Sequence, residues 1–402
     1  MKTVLFVGAG RHQRRAIERA RDLGIRTVAV DRNAAAPGLA EADVPEVVDF
    51  TDVARVIEAG RRHGVDGVLT ISADRAVPVV AAVAEALGVP GIGTATALRM
   101  THKLEMRRRL AEAGVPQPRF AAARSLREAR TAVEAVGFPA VLKPVDSGGQ
   151  RGIFLLHSLD DLERHLPAAL ADSPTSETIV ERYHEGLELN GLAIARHGEV
   201  SPLTLSDRLR PPGIGFGVGW IHVYPPSLPG ETVARAERVA VDAVRALGLR
   251  DGIAFPQVIA TATGEVLVVE VAARIPGGQM ADLARHAVGV DLVEVALRQA
   301  LGEAVPDDLV RPHPPQPLAI RFLTAEPGPL PTGRVLRVHG LERVRASAGV
   351  VQADVYLTEG ETIRPVRLDG DRRGYVIAVA GTGAEALRLA EAAAGLLRVE
   401  VE

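Results

Sequence analysis

Apolar residues in the first ninety positions form short runs joined by segments of helical period, the alternation of successive βαβ units. Thr3–Val7 ends in the turn Gly8-Ala9-Gly10, a helical stretch follows to about Leu23, and a second run, 27–30, closes on Asp31. A further strand at 68–71 is followed by Ser72-Ala73-Asp74 and the alanine-rich helix Val77–Leu87. The pattern predicts a doubly wound sheet with a ligand crevice at the strand C-termini. From Thr94 one helix carries Lys103 to about Ala113, where Gly114-Val115-Pro116 stops it.

Strands are then expected at 140–143 and 152–156, joined by the glycine-rich loop Pro144-Val145-Asp146-Ser147-Gly148-Gly149-Gln150-Arg151. Another strand covers 177–183, and 187–196 with 199–205 reads as an antiparallel pair across His197-Gly198. Residues 211–219 hold four glycines and two prolines, the composition of a long loop that covers a site, with His222 and Tyr224 just after it. Helices at 231–247, 279–288 and 292–301 and a last block of strands (319–322, 334–338, 350–356, 374–379) precede a final helix at 384–397. Cuts near 93 and 325 divide the chain: an N-terminal doubly wound part (1–93), a central part (94–325) with a lid at about 120–187, and a small C-terminal α+β part (326–402).

Composition narrows the function classes. The 402 residues, 47% hydrophobic, build full-sized cores, and the formal charge of −3 has no long single-sign run, which argues against nucleic acid or a membrane surface as partner. No cysteine is present, so thiolate catalysis, disulfides and cysteine-held metals are excluded. No stretch reaches the ~18 apolar residues of a membrane span, and a cytoplasmic protein is expected. Of the 47 basic residues only Lys2, Lys103 and Lys143 are lysine, so a lysine kept inside an arginine-rich chain marks a place where a compact ammonium is needed. Chance survival is the plainer explanation.

The Gly8-Ala9-Gly10 turn with Asp31 is half of a dinucleotide fingerprint, but Gln13 stands where the third glycine belongs, which favours a structural turn. More chemistry gathers around Phe138-Pro139-Ala140-Val141-Leu142-Lys143-Pro144. It sets a cation at a strand end before a loop whose amides, Gly148 and Gly149 among them, can wrap phosphates. Downstream, Glu181-Arg182-Tyr183-His184-Glu185-Gly186-Leu187-Glu188 offers strand-edge backbone to an adenine and Glu188 to ribose hydroxyls, although each carboxylate taken singly reads as a solvated charge. If Thr263-Gly264 form a two-residue hairpin turn, opposed residues share a sum of 527, and Gln257 faces Glu270. Two hard oxygen ligands side by side suit Mg²⁺; a cross-strand hydrogen bond is the alternative.

In their order and spacing these pieces resemble the ATP-grasp superfamily, and within it the biotin-carboxylase-like and L-amino-acid-ligase-like enzymes, over nearly the whole chain. The resemblance implies ATP phosphates on Lys103 and Lys143, adenine at Glu181 and the backbone near His184, ribose on Glu188, and magnesium on Gln257 and Glu270. One or two ions are implied, with Mn²⁺ as a substitute. Two positions depart from the family pattern: Gln257 replaces the usual glutamate, and Ala272 the usual asparagine two residues beyond Glu270, which removes a ligand.

The implied chemistry is activation of a small carboxylic acid, an amino acid foremost, to an acyl phosphate, then attack by an amine with release of ADP and phosphate. Small-molecule acid and amine are then the partners, with a homodimer as the assembly to test. Arg274, four residues past Glu270, is placed to grip the acid's carboxylate, against a structural ion pair as the alternative. A bicarbonate-using carboxylase or carbamoyl-phosphate-type enzyme is the nearest rival, although no biotin-carrier Met-Lys motif is present. A nucleotide-binding protein without turnover and a nicotinamide-dependent oxidoreductase are the readings from other classes.

Overall fold

A computed structural model describes residues 1–148, 151–214 and 217–402; Gly149, Gln150, Gly215 and Phe216 lie outside the described residues. The N-terminal strands β1 (Thr3–Val7), β2 (Arg26–Asp31), β3 (Val44–Val47) and β4 (Gly67–Leu69) form a parallel sheet in the order β3-β2-β1-β4. In the Gly8–Gly10 turn the Ala9 amide donates to Asp31 Oδ2 at 2.9 Å, and the Gln13 side chain lies against both glycines, 3.4 and 3.2 Å from where a Cβ would stand on Gly8 and Gly10.

The helix expected from Thr94 is two helices, Thr94–Arg99 and Lys103–Glu112. The break is local: His102 caps the second helix with its ring accepting from the Glu105 amide, and the Lys103 amide donates to Val145 O at 2.8 Å. Lys103 thereby becomes the first residue of a helix rather than a mid-helix side chain.

Strands β5 (Phe120–Ala123), β6 (Ala140–Pro144), β7 (Phe154–Leu156) and β8 (Thr178–Arg182) build a small antiparallel sheet, order β5-β8-β6-β7. Side chains alternate across a strand, so Ala140 and Leu142 pack under the helices Leu126–Val136 and Leu159–Ala171. The register Val141↔Glu181 sets Val141, Lys143 and Glu181 on the opposite face.

The remaining strands are β9 (Gly186–Arg196), β10 (Glu199–Leu209), β11 (Ile221–Tyr224), β12 (Gly252–Thr261), β13 (Val266–Ala272), β14 (Leu318–Phe322), β15 (Gly333–His339), β16 (Val350–Val355), β17 (Thr362–Ile363), β18 (Gly374–Val379) and β19 (Arg398–Val401). Eight make one antiparallel sheet, β13-β12-β9-β10-β11-β14-β18-β16, which runs without interruption past residue 325; β17-β15-β19 is a separate three-stranded sheet. One face of the large sheet buries Leu189, Ala193, Ala254, Val258 and Val268 against the helix Gly230–Leu247. The other buries Leu192, Ile194, Ile253 and Phe255 toward β1 and the helices Met280–Val288 and Leu292–Ala300. Glu188, Asn190 and Gln257 belong to this second face by alternation.

His222 and Tyr224 were expected beside a closing loop but sit in β11, paired with β10 and β14, where His222 is 3% exposed. Their alternation with Ile221 and Val223 fits an interior strand. Among the described residues no helix is long and apolar enough to cross a membrane.

Candidate active site

The Gln257–Glu270 pairing depends on a detail that the two-residue turn missed. Near the hairpin end the register is Ala260↔Val266 through Val258↔Val268, closed by a three-residue loop, Ala262-Thr263-Gly264, with Gly264 at φ +82°. A bulge at Val269 then shifts the register by one, and Gln257 meets Glu270. The longer loop and the bulge cancel, so the expected pair forms by a different route.

Two adjoining cavities share Lys103, Ile153, Asn190, Arg208, Gln257 and Glu270. The inner one, about 130 Å³, lies under the small sheet and adds Lys143, Glu181, His184 and Glu188. The outer one, about 340 Å³, adds Arg11, His12, Asp74, Gly148, Arg274, Asp369 and Arg372. Every candidate among the described residues therefore lines one of the two; Gly149 lies outside them.

Lys143 Nζ donates to Glu181 Oε2 at 2.7 Å, and Arg107 grips the same carboxylate through Nε at 2.9 Å and Nη2 at 3.1 Å. Burial alone would raise the Glu181 carboxyl, but the charges of Arg107 and Lys143 hold it down at about 2. The Glu181 side chain is thus occupied by cations, and its backbone is paired to β5 and β6. What it offers directly is the position of the Lys143 ammonium. Arg107 also donates to Val268 O and Val269 O, at 3.0 and 2.6 Å, and so ties the small sheet to β13.

Lys103 Nζ donates to Ser147 O at 2.7 Å and stands 3.9 Å from Glu270 Oε1. Glu188 is ion-paired with Arg208 and, at 3.3 Å, with Arg210. His184 is half-buried, and desolvation lowers its pKa. Gln257 Nε2 donates to Asn190 Oδ1 at 3.0 Å. Among the described residues no group of three or more His, Cys, Asp or Glu could hold a metal. The donor set is the Gln257 amide oxygen and the Glu270 carboxylate, two hard oxygens, which fits Mg²⁺, an ion otherwise held by water and phosphate.

Arg274 forms the ion pair that was its alternative reading: Nε and Nη2 reach Asp74 Oδ1 at 2.7 and 2.6 Å. Its Nη1 is buried and, among the described residues, has no hydrogen-bond partner. The loop after it meets the N-terminal sheet closely. Ser72 N donates to Ile275 O at 2.9 Å, and a Cβ on Gly277 would stand 2.4 Å from Ser72 Oγ, so a larger residue there would force that hydroxyl to turn away.

Sequence reasoning missed several residues that the fold gathers here. Asn190 and Arg208 were accessible in principle, since Asn190 shares the strand face of Glu188 and a longer β10 would have included Arg208. Arg372 carried no local signal; it lies beyond a short turn, ion-paired with Asp369 and 4.1 Å from the Phe322 ring centroid. His12 and His222 are held neutral, by burial first and then by the charge of Arg372, at pKa values of about 4 and about 3.

A family described as "Carbamoyl-phosphate synthase L chain, ATP binding domain" matches residues 102–307, half of the chain, and an "ATP-grasp N-terminal domain" matches 17–91. The chain belongs to the ATP-grasp family. This ATP-grasp chain also matches "L-amino acid ligase C-terminal domain 2" over 321–402. It is 30% identical over 98% of its length, and 95% of the relative's, to a formate-dependent phosphoribosylglycinamide formyltransferase of Ignicoccus hospitalis. Among solved structures it resembles an L-amino acid ligase from Bacillus licheniformis (TM-score 0.84, 20% identity, 100% and 99% of the two chains). It also resembles a biotin carboxylase domain dimer of Hydrogenobacter thermophilus 2-oxoglutarate carboxylase bound to MgADP and bicarbonate (TM-score 0.79, 20% identity, 99% and 90%). The expected superfamily and fold are thereby shown: this is an ATP-grasp carboxylate–amine ligase, an enzyme that uses ATP and forms a C–N bond.

Proposed function

We propose that the chain activates an amino acid with Mg-ATP and joins it to an amine through an acyl phosphate. The supporting observation is where the ligase-like segment falls: residues 321–402 match the L-amino acid ligase domain and supply Phe322, Tyr356, Asp369, Gly370 and Arg372 to the wall of the outer cavity. That cavity mixes cations with carboxylates, which suits a zwitterion better than a purely anionic ligand.

On this reading Lys103, Lys143 and the amides of Gly148 and Gly149 hold the phosphates, while Glu181 positions Lys143. Backbone near His184 receives the adenine, and Glu188 the ribose once it exchanges arginine partners. Gln257 and Glu270 would hold magnesium, or manganese in its place, which neutralises charge on the transferred phosphoryl group. Arg274, which lines the outer cavity, meets the acid's carboxylate once it releases Asp74, and an oxygen of that carboxylate attacks the γ-phosphorus as ADP leaves. The amine nitrogen then attacks the acyl carbon, loses a proton, and phosphate departs. The small sheet, as a lid over about 120–187, excludes water from the acyl phosphate.

A second reading has one observation in its favour, the near full-length match to a formate-dependent formyltransferase. It keeps the phosphoryl chemistry and changes the acid to formate. Phosphate release with Mg-ATP separates the two: amino acids, singly and in pairs, should stimulate it, whereas formate with phosphoribosylglycinamide should not. The reverse pattern transfers the assignment to formyl transfer, and no stimulation by either refutes both.

A further inference from the structure

We propose that Asn190 is a positioning residue that decides which end of the Gln257 amide faces the metal. The inference rests on the reading that Gln257 and Glu270 hold the cation. A glutamate at position 257 would present two equivalent oxygens, but an amide presents one oxygen and one NH₂, and only the oxygen binds a cation. Half a turn about the last side-chain bond exchanges them. In the wrong orientation the NH₂ donates to Glu270 across the strand pair, which occupies both ligands at once.

The sheet supplies the competing acceptor. Gln257 lies between Glu270 on β13 and Asn190 on β9. Its Nε2 donates to Asn190 Oδ1 at 3.0 Å, which leaves Oε1 for the side of Glu270. Asn190 is held in place through its backbone: it is 3% exposed, in a strand paired on both sides, and its backbone carbonyl accepts from Ser206 Oγ at 3.3 Å. The three side chains form one row across neighbouring strands, on the face that lines both cavities. Asn190 thus makes a neutral glutamine usable at a position where a carboxylate would need no orientation, in a site where Ala272, two residues beyond Glu270, offers no side-chain oxygen.

A double-mutant cycle tests this with Mn²⁺ as probe, in the presence of a non-hydrolysable ATP analogue, the free ion being read by electron paramagnetic resonance. Asn190→Leu, similar in volume and without the acceptor, should weaken Mn²⁺ binding roughly tenfold or more, as loss of an outer-shell partner does. Asn190→Asp keeps the acceptor and should retain the affinity. In a Gln257→Glu background Asn190→Leu should change affinity by no more than about twofold, because the carboxylate is symmetric. Equal losses in both backgrounds would make Asn190 a direct ligand or a structural residue and overturn the proposal; no loss in either would do the same. Asn190→Ala repeats the comparison if the leucine variant fails to fold. Glu270→Gln separates the two levels. If it leaves Mn²⁺ affinity unchanged, the metal reading fails, whereas if it weakens binding and Asn190→Leu does not, only the role of Asn190 fails.

Discussion

Replacing Glu181 by glutamine should loosen the small sheet from the rest of the molecule. The substitution keeps shape and removes one charge, leaving Arg107 (2% side-chain exposure) and Lys143 (11%) without their common counter-ion. Removing one member of a buried ion pair costs about 3–5 kcal/mol, because the surviving charge is stranded away from water. Arg107 retains the carbonyls of Val268 and Val269, so the lower end applies, about 3 kcal/mol or somewhat over a hundredfold in an opening equilibrium. Hydrogen exchange at Val141, Leu142, Ile179 and Val180 reads that opening directly. The sign with pH follows from the depressed carboxyl. Its stabilisation is complete above the ordinary value of 4.5 and is lost as pH falls through about 2, so the gap between wild type and Glu181→Gln should narrow across that window. Mg-ATP should recover more protection in the variant than in the wild type, since phosphates at Lys143 replace the missing charge. Exchange within about 1 kcal/mol of wild type at neutral pH would refute the argument that this carboxylate makes two buried cations tolerable.

Lys143→Arg keeps the charge but changes shape and hydration beside Glu181, and turnover should fall by at least an order of magnitude with the melting temperature nearly unchanged; wild-type turnover would remove Lys143 from the phosphate site. Arg274→Lys loses planar recognition and should raise the acid requirement steeply while nucleotide affinity, measured by calorimetry, stays put; if both fall together, the ion pair with Asp74 is its whole role. His12 and His222 have depressed folded values, of about 4 and about 3, so the unfolded chain binds the extra protons and stability should decline as pH drops below 6.5 toward those values. Denaturation midpoints at stepped pH measure this slope, and His222→Phe should flatten part of it.

The N-terminal parallel strands, the lysine before the glycine loop and the Gln257–Glu270 pair were legible because each follows from local periodicity or from counting along one hairpin. Even there the count was sensitive to chance. The bulge at Val269 and the third loop residue offset one another, and either alone would have turned Glu270 away from Gln257. Short elements escaped notice: β3 and β5 have four residues each, too few for a period to show, and β11 was hidden behind the glycine-rich 211–219 segment. The break before Lys103 was only half visible: the His102 cap is local, but the carbonyl that receives the Lys103 amide belongs to Val145, 42 residues away.

What the chain determined by itself was the class of chemistry: which residue types exist, in what order, and on which face of a strand. Tertiary structure decided how those groups are occupied. It set Glu181 between Arg107 and Lys143, placed Asn190 beside Gln257, tied Arg274 to Asp74, and brought Arg372 from the far end of the chain to the cavity wall. The reason is physical. Periodicity records how each residue meets its own strand or helix, whereas a buried charge or amide takes its state from whatever partner packing delivers, and that partner lies far along the chain, 38 residues away for Lys143 and Glu181 and 200 for Asp74 and Arg274.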